Sequence, residues 1–485
     1  MHLALLLCLW LLDPARADPP LVTAITVQGL VRTRAETLLR EVLVAVGQPC
    51  DSALVAESER NLRQLPFLGL VRMLTRPSAG GVELVVEVEE LYARALSPLL
   101  AGELDELSFG LVALDYNLGG RGQLAQIRLQ HRAIEGNQAA LYFESPRLSG
   151  SARNLSTQVI WAAEGHDLGA TFSQPFLSLG QAWSYGATIY DTEQAHRFYE
   201  AGGTSARYRE RASGGNVWLT RSAGRATKVR PGFRLSYSDR RYAPSPGFTY
   251  APADRRRLLP SLSLTIWQPR YRQEKFVHQL GRTEDLQVGS WLALRAGLSL
   301  RALGNDLNYY SLGLQLSPRL LLGGRAYVYT SLLASTQMHP SGYQELNLLA
   351  EVLAYRRLHT SHSLALRLRA EAVARPESRS QYLLGADSGL RGVLPRQYGG
   401  QRRLLGNLEF RPTFWGRSWW VLAGALFADA GMAWNGALPR PAMAAGAGVR
   451  LGLPRLYNSP VLRADLARGL PGGAWLLSLG LGQYF

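Results

Sequence analysis

The sequence predicts a mostly β chain: a transmembrane antiparallel β-barrel over residues 91–485, preceded by one small α+β domain over residues 18–90. Three observations carry that prediction. Short runs alternate apolar and polar residues through most of the chain, the period of a strand with two unlike faces. Past the first twenty residues, no window holds the roughly eighteen apolar residues that a membrane-spanning helix needs. The composition (49 glycines, 21 tyrosines and 11 tryptophans in 485 residues) is unlike that of a soluble α/β enzyme.

Residues 1–17 read as a signal peptide. An apolar core runs from Leu3 to Leu12 and Ala15-Arg16-Ala17 forms an A-x-A cleavage site, which predicts cleavage after Ala17 and export. Cys8 falls in that segment and leaves Cys50 alone in the mature chain, so no internal disulfide framework is expected. The net charge of +16 is scattered over alternating positions. In an exported chain that reads as lumen and loop charge, and nucleic acid is not an expected partner.

Residues 18–90 read as strand, helix, helix, strand, strand. "LVTAITVQGL" is β-rich and closes on Gly29. "TRAETLLREVL" opens with a capping box, Thr33 with Glu36, and carries an apolar stripe on Leu38, Leu39, Val42 and Leu43. A second helix starts at Asp51 and is stopped by Pro66. "GLVRMLTR" and "VELVVEVEE" then form a hairpin across "PSAGG".

The barrel strands announce themselves by what their two faces carry. In "LAQIRLQHR", Ala125, Ile127 and Leu129 oppose Gln126, Arg128, Gln130 and Arg132. In "SLALRLRAEAVA", Leu364, Leu366 and Leu368 oppose Arg367, Arg369 and Glu371. An arginine facing lipid near the midplane costs about 2–4 kcal/mol, so these must face a watery lumen. Trp415, Trp419, Trp420, Trp434 and Trp475 fall near strand ends, as an aromatic girdle would. Alternation alone offers about eighteen to twenty strand segments, and barrels of this kind take an even number.

The stretch "LLGADSGLRGVLPRQYGG", Leu383 to Gly400, interrupts the alternation. After it, "RLLGNLEFR" places Asn407 and Glu409 toward the lumen, and "WWVLAGALFADAGMAW" places Phe427 and Asp429 there. Two carboxylates from neighbouring strands need a positive partner in a partly desolvated interior. Arg391 is the candidate, because its planar fork engages one carboxylate with two bonds and still donates to another group. The loop, residues 376–401, is therefore expected to insert into the barrel, with Gly389 and Gly392 allowing tight turns and close backbone approach. At the barrel's closure, Pro98 in "RALSPLLAGEL" suits an edge strand, and Gly473, Gly480 and Gly482 soften the last strand, "WLLSLGLGQYF". That strand is expected to turn Leu477, Leu479, Leu481 and Phe485 outward.

These residues carry two resemblances. The β-α-α-β-β order with "ITVQGLVRTRAETLL" and "VVEVEE" resembles a POTRA domain, which implies a periplasmic module binding extended clients by strand addition; a mere spacer is the alternative. "GADSGLRG" followed by "NLEF" and "FADAG", with the turn "LDYNLGGRGQL" and the terminal Phe485, resembles the BamA/TamA superfamily of outer-membrane assembly and translocation factors. In the loop, Leu390-Arg391-Gly392-Val393 stands where that family has an aromatic fourth residue. The resemblance implies sixteen strands and a weak seam between the first and last, here Pro98, Gly480, Gly482 and Phe485. It implies a structural lock of Arg391, Gly392, Glu409 and Asp429 and no catalytic residues.

The expected partners are unfolded outer-membrane or secreted client proteins, outer-membrane lipid and accessory lipoproteins, with no cofactor and no metal. A two-partner-type secretion pore for one dedicated protein is the alternative. An enzyme is not expected: a G-x-S-x-G elbow and a helical H-E-x-x-H are absent. His166 and Asp167, adjacent on a strand, point to opposite faces, and His359 with His362 is the only other suggestive pair.

Overall fold

The computed structural model describes residues 19–103, 106–359 and 361–485, so the signal peptide expected over residues 1–17 lies outside the described residues. The chain forms two compact units, one running to Leu91 and one beginning at Tyr92.

The first unit comprises β1 (Val22–Gln28), α1 (Ala35–Leu39), α2 (Ser52–Arg63), β2 (Leu68–Ser78) and β3 (Gly81–Glu90). Its sheet has the order β1-β3-β2, with β1 parallel and β2 antiparallel to the central β3. Leu38, Leu62, Phe67, Leu68, Leu84 and Val86 form its buried core. Asp51 caps α2, accepting from the Ala53 N–H at 2.8 Å. The capping box expected at Thr33 does not form. Arg34 holds the N-cap position without a side-chain bond, because the Glu90 carboxylate accepts the Arg32 and Thr33 N–H groups, each at 2.9 Å. An ionised acceptor from the neighbouring strand takes the Thr33 N–H that the Glu36 side chain would have served in the box.

The second unit is a closed antiparallel barrel. β4 (Arg94–Glu103), β5 (Ser108–Asp115), β6 (Leu124–Arg132), β7 (Gly136–Ser145), β8 (Asn154–Ala162) and β9 (Gly165–Gln174) are short. β10 (Trp183–Glu200), β11 (Gly203–Arg221), β12 (Lys228–Pro244) and β13 (Arg255–Trp267) are longer. A small hairpin, β14 (Tyr271–Glu274) and β15 (Glu284–Gln287), then leaves the wall. The wall resumes with β16 (Trp291–Ser299), β17 (Tyr309–Ser317), β18 (Arg319–Leu322), β19 (Ala326–His339), β20 (Gly342–Arg357) and β21 (Ser363–Ala374). A second off-wall pair follows, β22 (Tyr382–Leu384) and β23 (Tyr398–Gly400). β24 (Arg402–Arg411), β25 (Thr413–Gly416), β26 (Val421–Trp434), β27 (Ala442–Gly452), β28 (Val461–Leu470) and β29 (Trp475–Leu481) complete the ring.

β17 and β18 both pair with β19, and β24 and β25 both pair with β26. Pro318 and Pro412 separate the members of each couple, and a proline cannot donate to the ladder. Counting each couple as one broken strand, the barrel has 20 strands. The sixteen that the resemblance implied is thereby corrected, and the upper end of the count from alternation is the right one.

The barrel strands turn apolar side chains out over part of their length. Ile127, Leu129, Ile189, Val217, Leu262, Leu368 and Leu426 are exposed there, the kind of band that hydrocarbon covers. Trp415, Trp419, Trp420 and Trp475 are exposed at strand ends, while Trp434 is only half-buried. The end where β4 begins and β29 finishes is called the proximal mouth here; the loop between β21 and β24 starts from the distal mouth.

Candidate functional site

The inward faces of β24, β26, β27 and β28 bring together a buried ionic cluster. Alternation puts Asn407, Glu409 and Arg411 inward on β24, Phe427 and Asp429 on β26, Arg450 on β27, and Arg463 and Asp465 on β28. Glu409, Asp429, Asp465 and Arg450 are all 2 % exposed or less. Into this cluster the 376–401 segment delivers Arg391, itself 1 % exposed.

Arg391 forks onto Asp429, with Nε donating to Oδ2 at 2.7 Å and Nη2 to Oδ1 at 2.9 Å. Its third nitrogen, Nη1, donates to Glu409 Oε1 at 3.0 Å and lies 3.6 Å from Asp465 Oδ2. The guanidinium is sandwiched between aromatic rings, 3.4 Å from the Phe427 centroid and 3.9 Å from that of Tyr484. Burial alone would pull its pKa down. Asp429, Glu409 and Asp465 more than reverse that and hold it above the ordinary arginine value.

The sequence reading named Arg391, Gly392, Glu409 and Asp429, and the structure places these four together. Gly392 has φ +75, and a Cβ there would sit 2.8 Å from the Arg468 backbone nitrogen. Only a glycine lets the loop lie on β28 so closely. Val393, at the position following Gly392, packs against Leu384, Leu390 and Leu405; Tyr484 supplies an aromatic face to Arg391 instead.

Several members were not assigned to the cluster from the sequence, although Asn407 was read as facing the lumen. Asn407 Nδ2 donates to the Gly389 carbonyl and to Asp429 Oδ1, both at 2.8 Å, fixing loop and carboxylate at once. Arg450 bridges Asp465 Oδ1 at 2.6 Å and Glu409 Oε1 at 3.0 Å. Arg463 reaches Asp465 Oδ2 at 3.1 Å, and Arg411 reaches Glu409 Oε2 at 2.8 Å. Four guanidiniums thus face three carboxylates. The signal for them was the same inward parity that revealed Glu409 and Asp429, on β24 for Asn407 and Arg411 and on β27 and β28 for Arg450, Arg463 and Asp465.

The loop is anchored at both shoulders. Gln381 exchanges two hydrogen bonds with the Tyr199 backbone, at 2.7 and 2.9 Å. Glu377 receives Arg257 at 2.6 Å and also pairs with Arg255. Arg396 pairs with Asp387 at 3.2 Å and with Glu106, in the β4–β5 connection. The length of β10 to β13 therefore has a use: they rise beside the loop and hold its shoulders.

The ring closes where β29 meets β4, and the closure is narrow. Among the described residues only two pairs are in register, Ser478 with Glu103 and Leu479 with Gly102. β28 and β29 by contrast pair from Leu462–Leu481 through Arg468–Trp475. A cavity of about 840 Å³ lies behind the closure, and Glu103, Arg396, Arg463, Gly480 and Tyr484 are among the residues lining it.

No family model and no curated protein matches the sequence. Solved structures do. BamA from Haemophilus ducreyi lacking POTRA domains 1–3 matches at 14% identity and a TM-score of 0.45, covering 95% of this chain and 84% of that one. CdiB from Acinetobacter baumannii matches at 12% identity and a TM-score of 0.47, covering 96% and 74%. CdiB from Escherichia coli matches at 12% identity and a TM-score of 0.40, covering 96% and 92%.

Of the residues expected at the seam, Pro98 lies in β4 opposite Leu111 of β5, before the stretch that meets β29. Gly480 faces inward, where a Cβ would meet Arg463 Nη2 at 2.5 Å. Phe485 does not continue the outward face of β29. The strand ends at Leu481, Gly482 has φ +83, and the chain turns into the lumen. Tyr484 stacks on Arg391, and Phe485 packs against the inner cluster containing Val277 and Tyr355. Its carbonyl accepts Arg411 Nη2 at 3.0 Å. The interior arginines offer the terminal aromatics cation–π partners that lipid lacks.

Among the groups weighed for catalysis, His166 Nε2 lies 2.9 Å from Asp191 Oδ2 across two strands. The His359 and His362 rings are 5.8 Å apart in the β20–β21 turn.

Proposed function

We propose that this protein is an outer-membrane barrel of the BamA/TamA superfamily that delivers unfolded protein segments into or across the membrane through the β29–β4 seam. The observation that carries this reading is the two-residue pairing of Gly102 and Glu103 with Leu479 and Ser478. Strand edges left unpaired there would have N–H and C=O groups to template an incoming strand. The buried Arg391 cluster would hold the inserted loop in place while the seam works, with no chemistry of its own; no enzymatic activity is proposed.

In this reading residues 18–90 are a POTRA domain in the periplasm, supported by their β-α-α-β-β order and mixed sheet. β2 and β1 are the outer strands of that sheet, and an extended client segment would add to one of them. The proximal mouth then faces the periplasm. The proposed partners are unfolded client proteins, membrane lipid and accessory lipoproteins.

The test is a disulfide across the seam. Glu103→Cys with Ser478→Cys, a register pair, in a Cys50→Ser background, is expected to stop delivery when oxidised and restore it on reduction. Quantitative proteomics of membrane and medium reads the result. Loss of several unrelated barrel proteins makes the protein an assembly factor. Loss of one secreted protein with the membrane unchanged makes it a dedicated two-partner-type pore. Normal levels of both with the seam fully cross-linked would sink the seam reading.

A further inference from the structure

The chain between β13 and β16, residues 268–290, is far longer than the other proximal turns, and it does not stay at the rim. Its legs are tied by Gln268 N–H to Ser290 O at 3.1 Å and Val288 N–H to Arg270 O at 2.8 Å. β14 and β15 then pair from Tyr271–Gln287 to Glu274–Glu284. The tip residues, 275–283, are unlike an exposed turn, since Val277 and Leu280 are each 6 % exposed or less, as is Leu286 of β15.

Where these apolar residues go defines the hairpin's path. Val277 and Leu286 pack on Tyr327 and Tyr329 of β19, Tyr355 of β20 and Ala365 of β21, with Phe485 against the same cluster. Leu280 packs on Val421 and Ala423 of β26 and on Val461 of β28. From β16, where the hairpin rejoins the wall, the ring passes β17, β19, β20, β21, β24, β26 and β27 before reaching β28. In a ring of 20 strands that is close to half the circumference, so the hairpin spans the proximal mouth almost along a diameter.

Polar contacts pin it as well. Glu274 accepts from the Tyr327 hydroxyl and from Arg357 Nη1, the latter at 2.7 Å. Glu284 folds back to accept the N–H groups of Val277, His278 and Gln279, at 3.3, 3.1 and 3.0 Å, and so fixes the tip internally. Arg411 reaches the Val277 carbonyl at 3.5 Å while its Nε holds Glu409 Oε2. Glu409 gives its other oxygen to Arg391. One carboxylate is therefore shared by the segment entering from the distal mouth and, through Arg411, by the strap and by the Phe485 carbonyl.

We propose that residues 268–290 are a second plug, a strap that closes the proximal mouth of the lumen and is coupled through Arg411 and Glu409 to the loop inserted from the other end. A barrel of this size left open would be a wide aqueous channel, since smaller barrels of about 16–18 strands already are. The inserted loop fills the distal part, and the strap covers the part below the ionic cluster. Passage along the lumen requires both to leave, and release of the strap removes one of the partners that orient Arg411 on Glu409.

The proposal rests on reading the barrel as a membrane pore, and its test separates the two. Two variants are used: residues 272–286 replaced by a short Gly-Ser turn, and Leu280→Asp, which puts a charge into the apolar seat without shortening the chain. Heat-modifiable migration on gels establishes that each is a folded barrel. Single-channel conductance in planar bilayers is expected to be low for the parent and to rise about threefold or more without the strap, toward a porin-like channel. Leu280→Asp is expected to flicker between the two levels. Stable insertions with parental conductance in both variants would overturn the plug. A barrel that never inserts would instead overturn the membrane reading, and the strap is then judged by hydrogen exchange. The Val277, His278 and Gln279 amides are expected to exchange slowly in the parent and fast in Leu280→Asp, and fast exchange in the parent would overturn its seating.

Discussion

Arg391 matters for its shape as much as for its charge. Two of its nitrogens fit the two oxygens of Asp429 and a third reaches Glu409, a geometry that a lysine ammonium does not reproduce. Arg391→Ala leaves buried carboxylates short of a partner, and breaking one side of such a pair costs about 3–5 kcal/mol. The expected result is release of the loop, read as faster trypsin cleavage at Arg396, which is buried in the parent, and a lower urea midpoint for the barrel. Arg391→Lys is expected to recover only part of both; full recovery would show that charge alone suffices. The residues of this cluster were legible wherever a strand could be phased: Glu409 and Asp429 follow from alternation along β24 and β26. Asp465 and Arg450 obey the same parity, but nothing local marks which inward charges will meet. Phe485 was illegible, because Gly482 turns the chain inward where continued alternation predicts an outward Phe485.

Among the elements, the proximal strap is where pH should act. Burial raises the Glu284 pKa to about 7, against the three backbone N–H bonds and Arg282 that favour its ionised form. Asp285 follows it on the strand, and Tyr329 and Tyr355 of the wall face it. Burial, with Arg411 and Arg319 nearby, lowers the His278 pKa to about 4. Released into water, the two groups would titrate near about 4.3 and 6.5. Seated Glu284 holds a proton that the released form has lost, so its contribution falls as pH rises from about 4.3 to 7. Seated His278 lacks a proton that the released form holds, so its contribution falls as pH drops from about 6.5 to 4. The slopes oppose each other in acid, and only the Glu284 slope remains between about 6.5 and 7.5. The protection factor of the Gln279 amide, its exchange rate corrected for base catalysis, should therefore fall over that interval in the parent. In Glu284→Gln it should be flat there, and an unchanged slope would remove Glu284 as its source. The strap was not foreseen, because "YRQEKFVHQLGRTEDLQV" mixes charged and apolar residues on both parities and so marks no buried face. Its departure from the wall is decided by where Leu280 and Val277 find apolar partners. The strand total has a similar lesson. Pro318 and Pro412 split two strands without ending them, so the pattern count was closer to the ring than the number taken from resemblance.

Across the whole molecule, the long strands predict where the membrane stops. β10, β11 and β12 have 18, 19 and 17 residues, and at about 3.3 Å per residue and a tilt of about 40° they still rise well beyond the roughly 25 Å of an apolar band. Their outward faces change character at one level. Leu219 and Val217 on β11 are exposed and apolar, and Gly215 follows, opposite Ile189 and Tyr237. The next outward row is Asp191, Ser213 and Asp239, and beyond it Glu193, Arg211 and Arg241. Those charges form a ladder, with Arg209 on Glu193 at 3.0 Å, Arg241 on Asp239 at 3.6 Å and Arg211 on Asp191 at 3.7 Å. Exposed pairs of this kind contribute at most about 1 kcal/mol each, so the ladder is tolerated in water but would be costly in hydrocarbon. The boundary must fall between the Ile189 and Asp191 levels. Spin labels at Val217 and Arg209 are expected to divide accordingly, the first relaxed by oxygen and the second by a water-soluble nickel chelate. Val217→Arg should cost about 2–4 kcal/mol if that residue lies near the middle of the band and less toward its edge, whereas Arg209→Ala should change stability by no more than about 1 kcal/mol. Equal accessibility at both labels would mean that the apolar band is covered by protein, and the membrane reading would fall with it.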